Sequence, residues 1–234
     1  MKTGVRMFFA TALAICFSSV SAVPVQADSI LAGGTGSTNA FPFGNVVGFI
    51  YSGTYQEVYS KSVFTAPELI SEIAFASTGF GGSATYPMNL NIGLSTTTAA
   101  VNGLSTNYAN NRGADFTTVF SGDLIASITR TSTFDLAFNL TAPFLYNPAN
   151  GNLLLDVFIN SSSAPTSLFY VAGSSPTSSR VFTSPATGVT TADSLSLRTR
   201  FTTATPVPEP STLALFGTGL FGVTTYRYRR HRKS

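Results

Sequence analysis

The sequence predicts an all-β fold, a single antiparallel β-sandwich of the jelly-roll type, and three observations lead to this prediction. Apolar residues recur at every second position in the segments 88–94 and 134–140, and Leu195, Leu197 and Phe201 share one face of the segment 195–201, as in half-buried strands. No window before residue 207 has the periodicity of an amphipathic helix. Turn-forming dipeptides separate the apolar segments, namely Gly81-Gly82, Asn102-Gly103, Ser121-Gly122, Asn147-Pro148, Asn150-Gly151 and Ser175-Pro176.

The N-terminus has the layout of a secretory signal peptide. Lys2 and Arg6 precede the apolar stretch 7–17, and small residues follow it. The triplet that ends at Ala27 fits the small-residue cleavage pattern. We therefore predict a signal peptide over residues 1–27 that is cut between Ala27 and Asp28, with cleavage after Ala22 as the alternative.

The predicted exported domain spans residues 28–206, which is one domain's length of chain. About ten short strands are expected in it, since turn signals recur at short intervals. Besides the three alternating segments, the strand candidates are residues 46–51, 55–64, 69–76, 116–120, 123–129, 153–160, 167–171 and 179–183.

The charge of the exported domain differs in sign from that of the whole chain. The formal net charge of the chain is +3, but two basic residues belong to the signal peptide and five to the C-terminal end. Residues 28–206 hold six basic and nine acidic side chains, so their net charge is about −3. This balance excludes the electrostatic signature of a nucleic-acid-binding domain.

The exported domain has no cysteine and no histidine, because Cys16 lies in the signal peptide and His231 near the C-terminus. The sequence therefore excludes disulfide bonds, Cys-His or Ser-His-Asp catalysis, and metal sites with histidine ligands. We expect no cofactor. Calcium remains possible with oxygen ligands alone, although no Asp-rich calcium loop occurs.

The segment 95–114 is the longest irregular stretch and our first candidate for a ligand-binding surface, a plain mobile loop being the alternative. It contains Tyr108, Asn110 and Arg112. We add Asp156, whose carboxylate points away from its apolar neighbours in a predicted buried strand and needs a partner. Pairing with an arginine or with loop N–H groups is the main expectation, and a calcium-ligand or catalytic role is the alternative.

Carboxylates and tyrosines keep a carbohydrate-active enzyme open as an alternative function. Glycoside hydrolysis needs only two carboxylates. The candidates are Glu57, Glu68, Glu72, Asp115, Asp123, Asp135 and Asp156. Tyr51, Tyr55 and Tyr59 share one strand face by their spacing, where they form either a sugar-stacking platform or a cross-strand packing cluster.

Three parts follow one another in residues 207–234, which we predict to be a separate C-terminal segment. Pro208 and Pro210 keep the first part extended. The uncharged second part, about 211–226, predicts a single-pass transmembrane helix of roughly 24 Å. The basic tail 227–234 predicts a cytoplasmic end by the positive-inside rule. Its cationic residues are Arg227, Arg229, Arg230, Arg232 and Lys233. An ordinary membrane anchor is the alternative interpretation.

This segment resembles the PEP-CTERM sorting signal of Gram-negative bacteria that produce exopolysaccharide. The matching signature residues are Val207, Pro208, Glu209 and Pro210, and the apolar stretch and arginine-rich end match in position. The resemblance implies that an exosortase, a membrane-embedded protease or transpeptidase, recognises the motif and releases or transfers the upstream domain. The same segment is also known as the C-terminal domain of certain ice-binding proteins.

Together these observations predict a non-enzymatic protein that is exported through the inner membrane, is transiently anchored there, and reaches the cell surface or extracellular matrix after processing. We expect an adhesive or structural role with weak carbohydrate binding, and exopolysaccharide as a partner. A carboxylate-dependent enzyme is the first alternative. Ice binding is the second, suggested by threonine-rich stretches such as 96–98, although no regular threonine ladder occurs.

Overall fold

The computed structural model of the protein describes residues 27–46, 49–79 and 81–204. Within these ranges lie sixteen β-strands, three short 3-10 helices and no α-helix. The strands are Ala27–Ala32 (β1), Ser37–Asn39 (β2), Asn45–Val46 (β3), Phe49–Ile50 (β4), Gly53–Tyr59 (β5), Glu68–Phe75 (β6), Ser77–Gly79 (β7), Ala84–Thr97 (β8), Thr117–Ile128 (β9), Leu136–Tyr146 (β10), Asn152–Ser162 (β11), Leu168–Ser174 (β12), Ser178–Thr183 (β13), Thr190–Asp193 (β14), Leu195–Leu197 (β15) and Thr199–Ala204 (β16). The 3-10 helices are Lys61–Val63, Tyr108–Asn111 and Pro148–Asn150.

The strands form three antiparallel sheets. Sheet 1 has the order β1-β16-β6-β10, and sheet 2 has the order β14-β13-β5-β11-β8-β9. Sheet 3 has the order β15-β12-β3-β4, with β2 and β7 also paired to β12. The prediction of an all-β, antiparallel fold is therefore confirmed, while the jelly-roll order of strands stays a prediction.

One aromatic-rich core joins the inner faces of the three sheets. The rings of Tyr59 in sheet 2 and Phe201 in sheet 1 meet edge to face, with their centroids 5.1 Å apart. Phe43 contacts Phe75 of sheet 1 at 4.8 Å and Tyr170 of sheet 3 at 5.7 Å. The Tyr59–Phe201 and Phe43–Tyr170 pairs are edge to face, a geometry that stabilises beyond the area it buries, so they help to fix how the sheets face one another.

The period-two segments 88–94 and 134–140 predicted β8 and most of β10, but three other predictions were wrong in part. The segment 195–201 is divided between β15 of sheet 3 and β16 of sheet 1, and the strand candidate 55–64 ends at Tyr59, before the 3-10 helix Lys61–Val63. Residues 88–94 and 153–160 lie inside β8 and β11, as expected. One turn prediction also failed. Ser121-Gly122 lies within β9 instead of ending a strand, because both residues pair with β8, opposite Asn91 and Leu90. Gly122 has a φ of +131°, a conformation that glycine adopts without strain, so the strand continues through it.

The two ends of the described chain lie side by side in sheet 1. Ala27 pairs with Ala204, and Asp28 pairs with Thr203. The predicted cleavage site between Ala27 and Asp28 is therefore at the start of β1. Residues 1–26, the motif 207–210, the predicted transmembrane segment and the basic tail lie outside the described residues. No helix in the described part is long and apolar enough to cross a membrane.

We predict that the change Phe201→Ala lowers the free energy of unfolding by about 3–5 kcal/mol, because it leaves a cavity between Tyr59 and Phe64. Urea unfolding of the purified protein measures this loss. Leu145→Ala is the control, since Leu145 is 59% exposed and its truncation should cost less than about 0.5 kcal/mol. Equal losses in the two variants would contradict the proposed contact between the sheets.

Candidate functional site

The loop between β8 and β9, residues 98–116, packs on the outer face of sheet 2, the face turned away from the aromatic core. Leu104 is buried there against Val58, Leu154 and Val181, which point outward from β5, β11 and β13. This small second cluster attaches the loop to the sheet. The irregular segment 95–114 of the sequence is therefore a folded feature in its described part, with its first three residues in β8.

Gln56 connects this loop to the sheet by hydrogen bonds. It is fully buried, so all of its polar atoms need partners. Its amide nitrogen donates to Asp156 Oδ2 at 2.6 Å and to the backbone oxygen of Tyr108 at 3.1 Å. Its amide oxygen accepts from Asn111 Nδ2 at 2.8 Å. One side chain of β5 thus holds both the 3-10 turn of the loop and the carboxylate of β11.

Arg112 completes the cluster from the loop side. Its Nε donates to Asp156 Oδ2 at 2.7 Å, and its guanidinium carbon lies 4.6 Å from the centroid of the Phe116 ring. The Phe116 ring in turn lies directly on the backbone of Gly93, where an added Cβ would come within 2.4 Å of it. The guanidinium is therefore held by an ion pair on one edge and a cation–π contact on its face.

An open groove of about 390 Å³ runs beside this cluster. Its lining includes Asn91, Arg112, Phe116, Ser121, Asp156 and Phe158. Asp156 is only 3% exposed, whereas Phe158 is 41% exposed. The groove therefore combines a buried carboxylate, paired with the exposed Arg112, at one side with an accessible aromatic ring at the other, a composition that suits an amphipathic ligand.

A polar network extends the groove along the outer face of sheet 2. Asn160 Nδ2 donates to Asn89 Oδ1 at 2.8 Å, and Asn89 Nδ2 donates to Asp123 Oδ1 at 2.7 Å. Ser121 donates to Asn91 Oδ1 at 2.6 Å. These side chains stay solvent-accessible on a flat sheet surface. They hold one another in place and retain further hydrogen-bonding capacity toward solvent.

Three of the four ligand-binding candidates lie together. Asp156 pairs with Arg112, as the main expectation for this carboxylate required, and Tyr108 is joined to both through Gln56. The Tyr108 hydroxyl also bonds Thr183 Oγ1 at 2.8 Å. Asn110 is exposed on the 3-10 turn. The position of these residues is thus known, while their role in binding stays a prediction.

Sequence reasoning missed several residues of this cluster. Gln56 and Asn111 were not singled out, because their partners lie far away in sequence and no local pattern marks them. Phe158 is an exposed aromatic in a strand of otherwise buried apolar residues. Residues two apart in a strand point to the same face, so the position of Asp156 would have predicted that Phe158 faces outward too.

The tyrosines do not form a sugar-stacking platform. Tyr51, Tyr55 and Tyr59 are completely buried, so no ligand can reach their rings. The cross-strand packing interpretation is the one the structure supports: Tyr59 packs on Phe201, and Tyr51 packs on Phe41. Their positions follow from the inward pleat of β5 and the preceding residues.

The inner face of sheet 2 contains a buried carboxylate, Glu57. Its Oε2 accepts from the Tyr55 hydroxyl at 3.0 Å, and its Oε1 accepts from the Leu197 N–H of sheet 3 at 2.8 Å. Burial raises the pKa of Glu57 to about 8, against these hydrogen bonds and the positive charge of Arg180, which lower it. Arg180 itself is paired with Asp193 by two hydrogen bonds of 2.8 and 2.9 Å.

The carboxylates named as catalytic candidates are dispersed. Glu57 points into the core, whereas its sequence neighbour Gln56 faces outward. Asp156, which lies opposite Gln56 on β11, faces outward as well. Glu72 pairs with Arg200 in sheet 1, and Asp135 accepts from the backbone N–H of Thr129. Across residues 27–46, 49–79 and 81–204, no group of three or more acidic, histidine or cysteine side chains is placed to hold a metal ion.

Comparison with protein-family models places a PEP-CTERM protein-sorting motif at residues 206–230. The match confirms the resemblance drawn from Val207, Pro208, Glu209 and Pro210. The motif indicates that the chain is exported and processed by an exosortase, a membrane protein, and that it reaches the cell surface or the extracellular space. Comparison with curated proteins and with solved structures found no match.

We predict that Glu57 makes the free energy of unfolding depend on pH, and no histidine within residues 28–206 contributes to this dependence. The folded pKa of about 8 lies above the unfolded value of roughly 4.3, so the folded chain holds the extra proton between these values. The stabilisation is complete below pH ~4.3 and is lost as pH rises toward 8. Glu57→Gln should flatten this dependence and raise the free energy of unfolding at pH 8 by about 1–3 kcal/mol.

Urea unfolding between pH 5 and pH 9 measures this effect. Glu72→Gln is the matched control, because Glu72 is a half-buried strand glutamate with an arginine partner. The control should leave the slope of stability against pH unchanged. A slope that persists in Glu57→Gln would assign the pH dependence to another group.

Proposed function

We propose that this protein is an exosortase-processed component of the cell surface or extracellular matrix, and that the outer face of sheet 2 binds carbohydrate in an adhesive or structural role. The observation that carries the proposal is the groove beside Arg112 and Asp156, with its exposed Phe158. In this proposal the folded part acts as a β-sandwich that offers one sheet face to polysaccharide.

The chemistry of the groove suits a sugar chain. A pyranose ring has an apolar C–H face that packs on an aromatic ring, and hydroxyl groups that need both donors and acceptors at its edge. Phe158 supplies the first, and the side chains of Asn91 and Ser121 supply the second. The neighbouring Asn89 and Asn160 continue the same polar surface, so an extended chain would meet similar groups along its length.

We propose a binding role without catalysis. Glu57 and Asp156 are two of the most buried carboxylates, but they lie on opposite faces of sheet 2 and so cannot act on one glycosidic bond. The alternatives of a carboxylate-dependent enzyme and of an ice-binding protein stay predictions. Calcium binding also stays a prediction.

The sorting motif relates this binding face to its place of action. In the proposed sequence of events, the basic tail holds residues 211–226 in the inner membrane until an exosortase acts at the motif. The folded part, with its groove, then becomes a component of the surface or matrix, where it would meet extracellular carbohydrate. We therefore propose exopolysaccharide as the partner.

We predict that the full chain, purified in detergent micelles, binds polysaccharides on a glycan and exopolysaccharide array. Phe158→Ala should weaken this binding by about tenfold, or ~1.4 kcal/mol, because it removes the exposed apolar contact. Leu145→Ala is the control, since it removes an exposed apolar side chain from sheet 1. An array without any bound glycan, or equal binding by Phe158→Ala, would contradict the proposed site.

We also predict that Glu209→Ala blocks processing in cells that contain an exosortase. The variant should keep its C-terminal segment and stay in the membrane fraction, whereas the parent chain should lose that segment. Intact-mass measurement of the fractionated protein distinguishes the two. Asp123→Ala, a change of an exposed carboxylate in the folded part, should be processed normally. Normal processing of Glu209→Ala would show that this glutamate of the motif is not needed for exosortase processing.

A further inference from the structure

We infer that the groove selects neutral polysaccharide, and that Asp156 Oδ1 and the terminal amino groups of Arg112 together bind neighbouring hydroxyl groups of one sugar. The inference rests on the proposed carbohydrate-binding function and specifies its ligand. The Arg112–Asp156 pair leaves polar atoms without hydrogen-bond partners among the described residues.

The carboxylate of Asp156 has one occupied and one unoccupied oxygen. Gln56 and Arg112 both donate to Oδ2. Among the described residues Oδ1 has no hydrogen-bond partner, yet it is not one of the polar atoms sealed from solvent. Asp156 as a whole is 97% buried and lines the groove. Because Oδ1 lies at the groove, it can accept a hydrogen bond from a ligand hydroxyl in place of solvent.

Arg112 provides the complementary donors. Only its Nε is used in the ion pair with Asp156, and its side chain is 38% exposed. In the described part of the chain its two terminal nitrogens have no hydrogen-bond partner and keep solvent contact. The guanidinium plane is fixed by Phe116 and by the Nε bond, so little side-chain entropy is lost when a ligand binds. An acceptor and two donors thus lie side by side in a fixed orientation.

The charge of the groove decides between neutral and acidic polysaccharide. The positive charge of Arg112 is already neutralised by Asp156 at 2.7 Å. Asp123 adds a further negative charge on the same face, next to Asn89, and the exported domain as a whole has a net charge of about −3. A uronic acid chain would bring more carboxylates to this surface, whereas a neutral chain can use every donor and acceptor without repulsion.

Asp156→Asn tests this assignment with little change of side-chain shape, although it also removes the negative charge that faces Arg112. An asparagine can keep an acceptor oxygen toward Gln56 and Arg112 while it turns the groove-facing atom from an acceptor into a donor. The full chain in detergent micelles is titrated with a soluble neutral glucan, a neutral galactomannan and alginate, a polyuronate. We expect the parent chain to bind a neutral polymer and not alginate, and Asp156→Asn to weaken that binding by at least about tenfold.

Arg112→Lys is a second variant on the exposed side of the pair, in case Asp156→Asn does not fold. It keeps the positive charge beside Asp156 but removes the paired terminal nitrogens, so we expect a loss of similar size. Leu145→Ala should bind like the parent, and thermal unfolding of each variant reports on folding. Unchanged binding of the neutral polymer by folded Asp156→Asn or by Arg112→Lys would overturn the assignment of these atoms.

The remaining outcomes separate this inference from the proposed function. Preferential binding of alginate by the parent chain, weakened by Phe158→Ala, would overturn the neutral class and leave carbohydrate binding at the groove intact. Binding of no polymer by the folded parent chain would overturn the proposed function and this inference with it. Binding of a neutral polymer that is lost in both Asp156→Asn and Arg112→Lys supports both.

Discussion

Two consecutive buried polar residues in β5, Gln56 and Glu57, connect sheet 2 to the loop 98–116 on its outer face and to sheet 3 on its inner face. The pleat of the strand directs Gln56 outward to the loop and Glu57 inward to sheet 3. Since each is fully buried, each must satisfy its polar atoms within the protein. The arrangement of the loop, of Asp156 and of the β15 backbone therefore follows from a dipeptide in the middle of one strand.

The candidate site is built partly on a loop that contacts sheet 2 at three separate residues. Asn111, Arg112 and Phe116 each contact the sheet through a different interaction: an amide hydrogen bond, an ion pair and a ring on a glycine backbone. Loops that carry function are usually positioned by a rigid scaffold. Here that scaffold is sheet 2, which also forms part of the groove wall. A ligand would then meet preformed donors and acceptors, which limits the entropy lost on binding.

The sequence predicted local features better than long-range ones. The period of two identified β8 and most of β10 because each has one face on the core. The strand candidate 153–160 identified β11, where the alternation of side chains placed Asp156 opposite its apolar neighbours. The sequence predicted that Asp156 pairs with an arginine or with loop N–H groups. It did not identify Arg112 as the partner, because 44 residues separate the two. The division into three sheets and the burial of Tyr51, Tyr55 and Tyr59 depend on which strands become neighbours. No local pattern encodes that information.

The position of β16 has a consequence for when the protein can fold. This strand lies between β1 and β6, so β1 has no neighbour in sheet 1 until the last residues of the folded part have arrived. A chain that leaves the cell N-terminus first therefore emerges with its first strand unpaired and completes sheet 1 only when residues 199–204 have crossed. Non-local pairing of this kind forms slowly, because the whole intervening chain must be closed into a loop. Export thus comes before folding for this sheet, because one of its two central strands is also the last strand of the folded part to arrive.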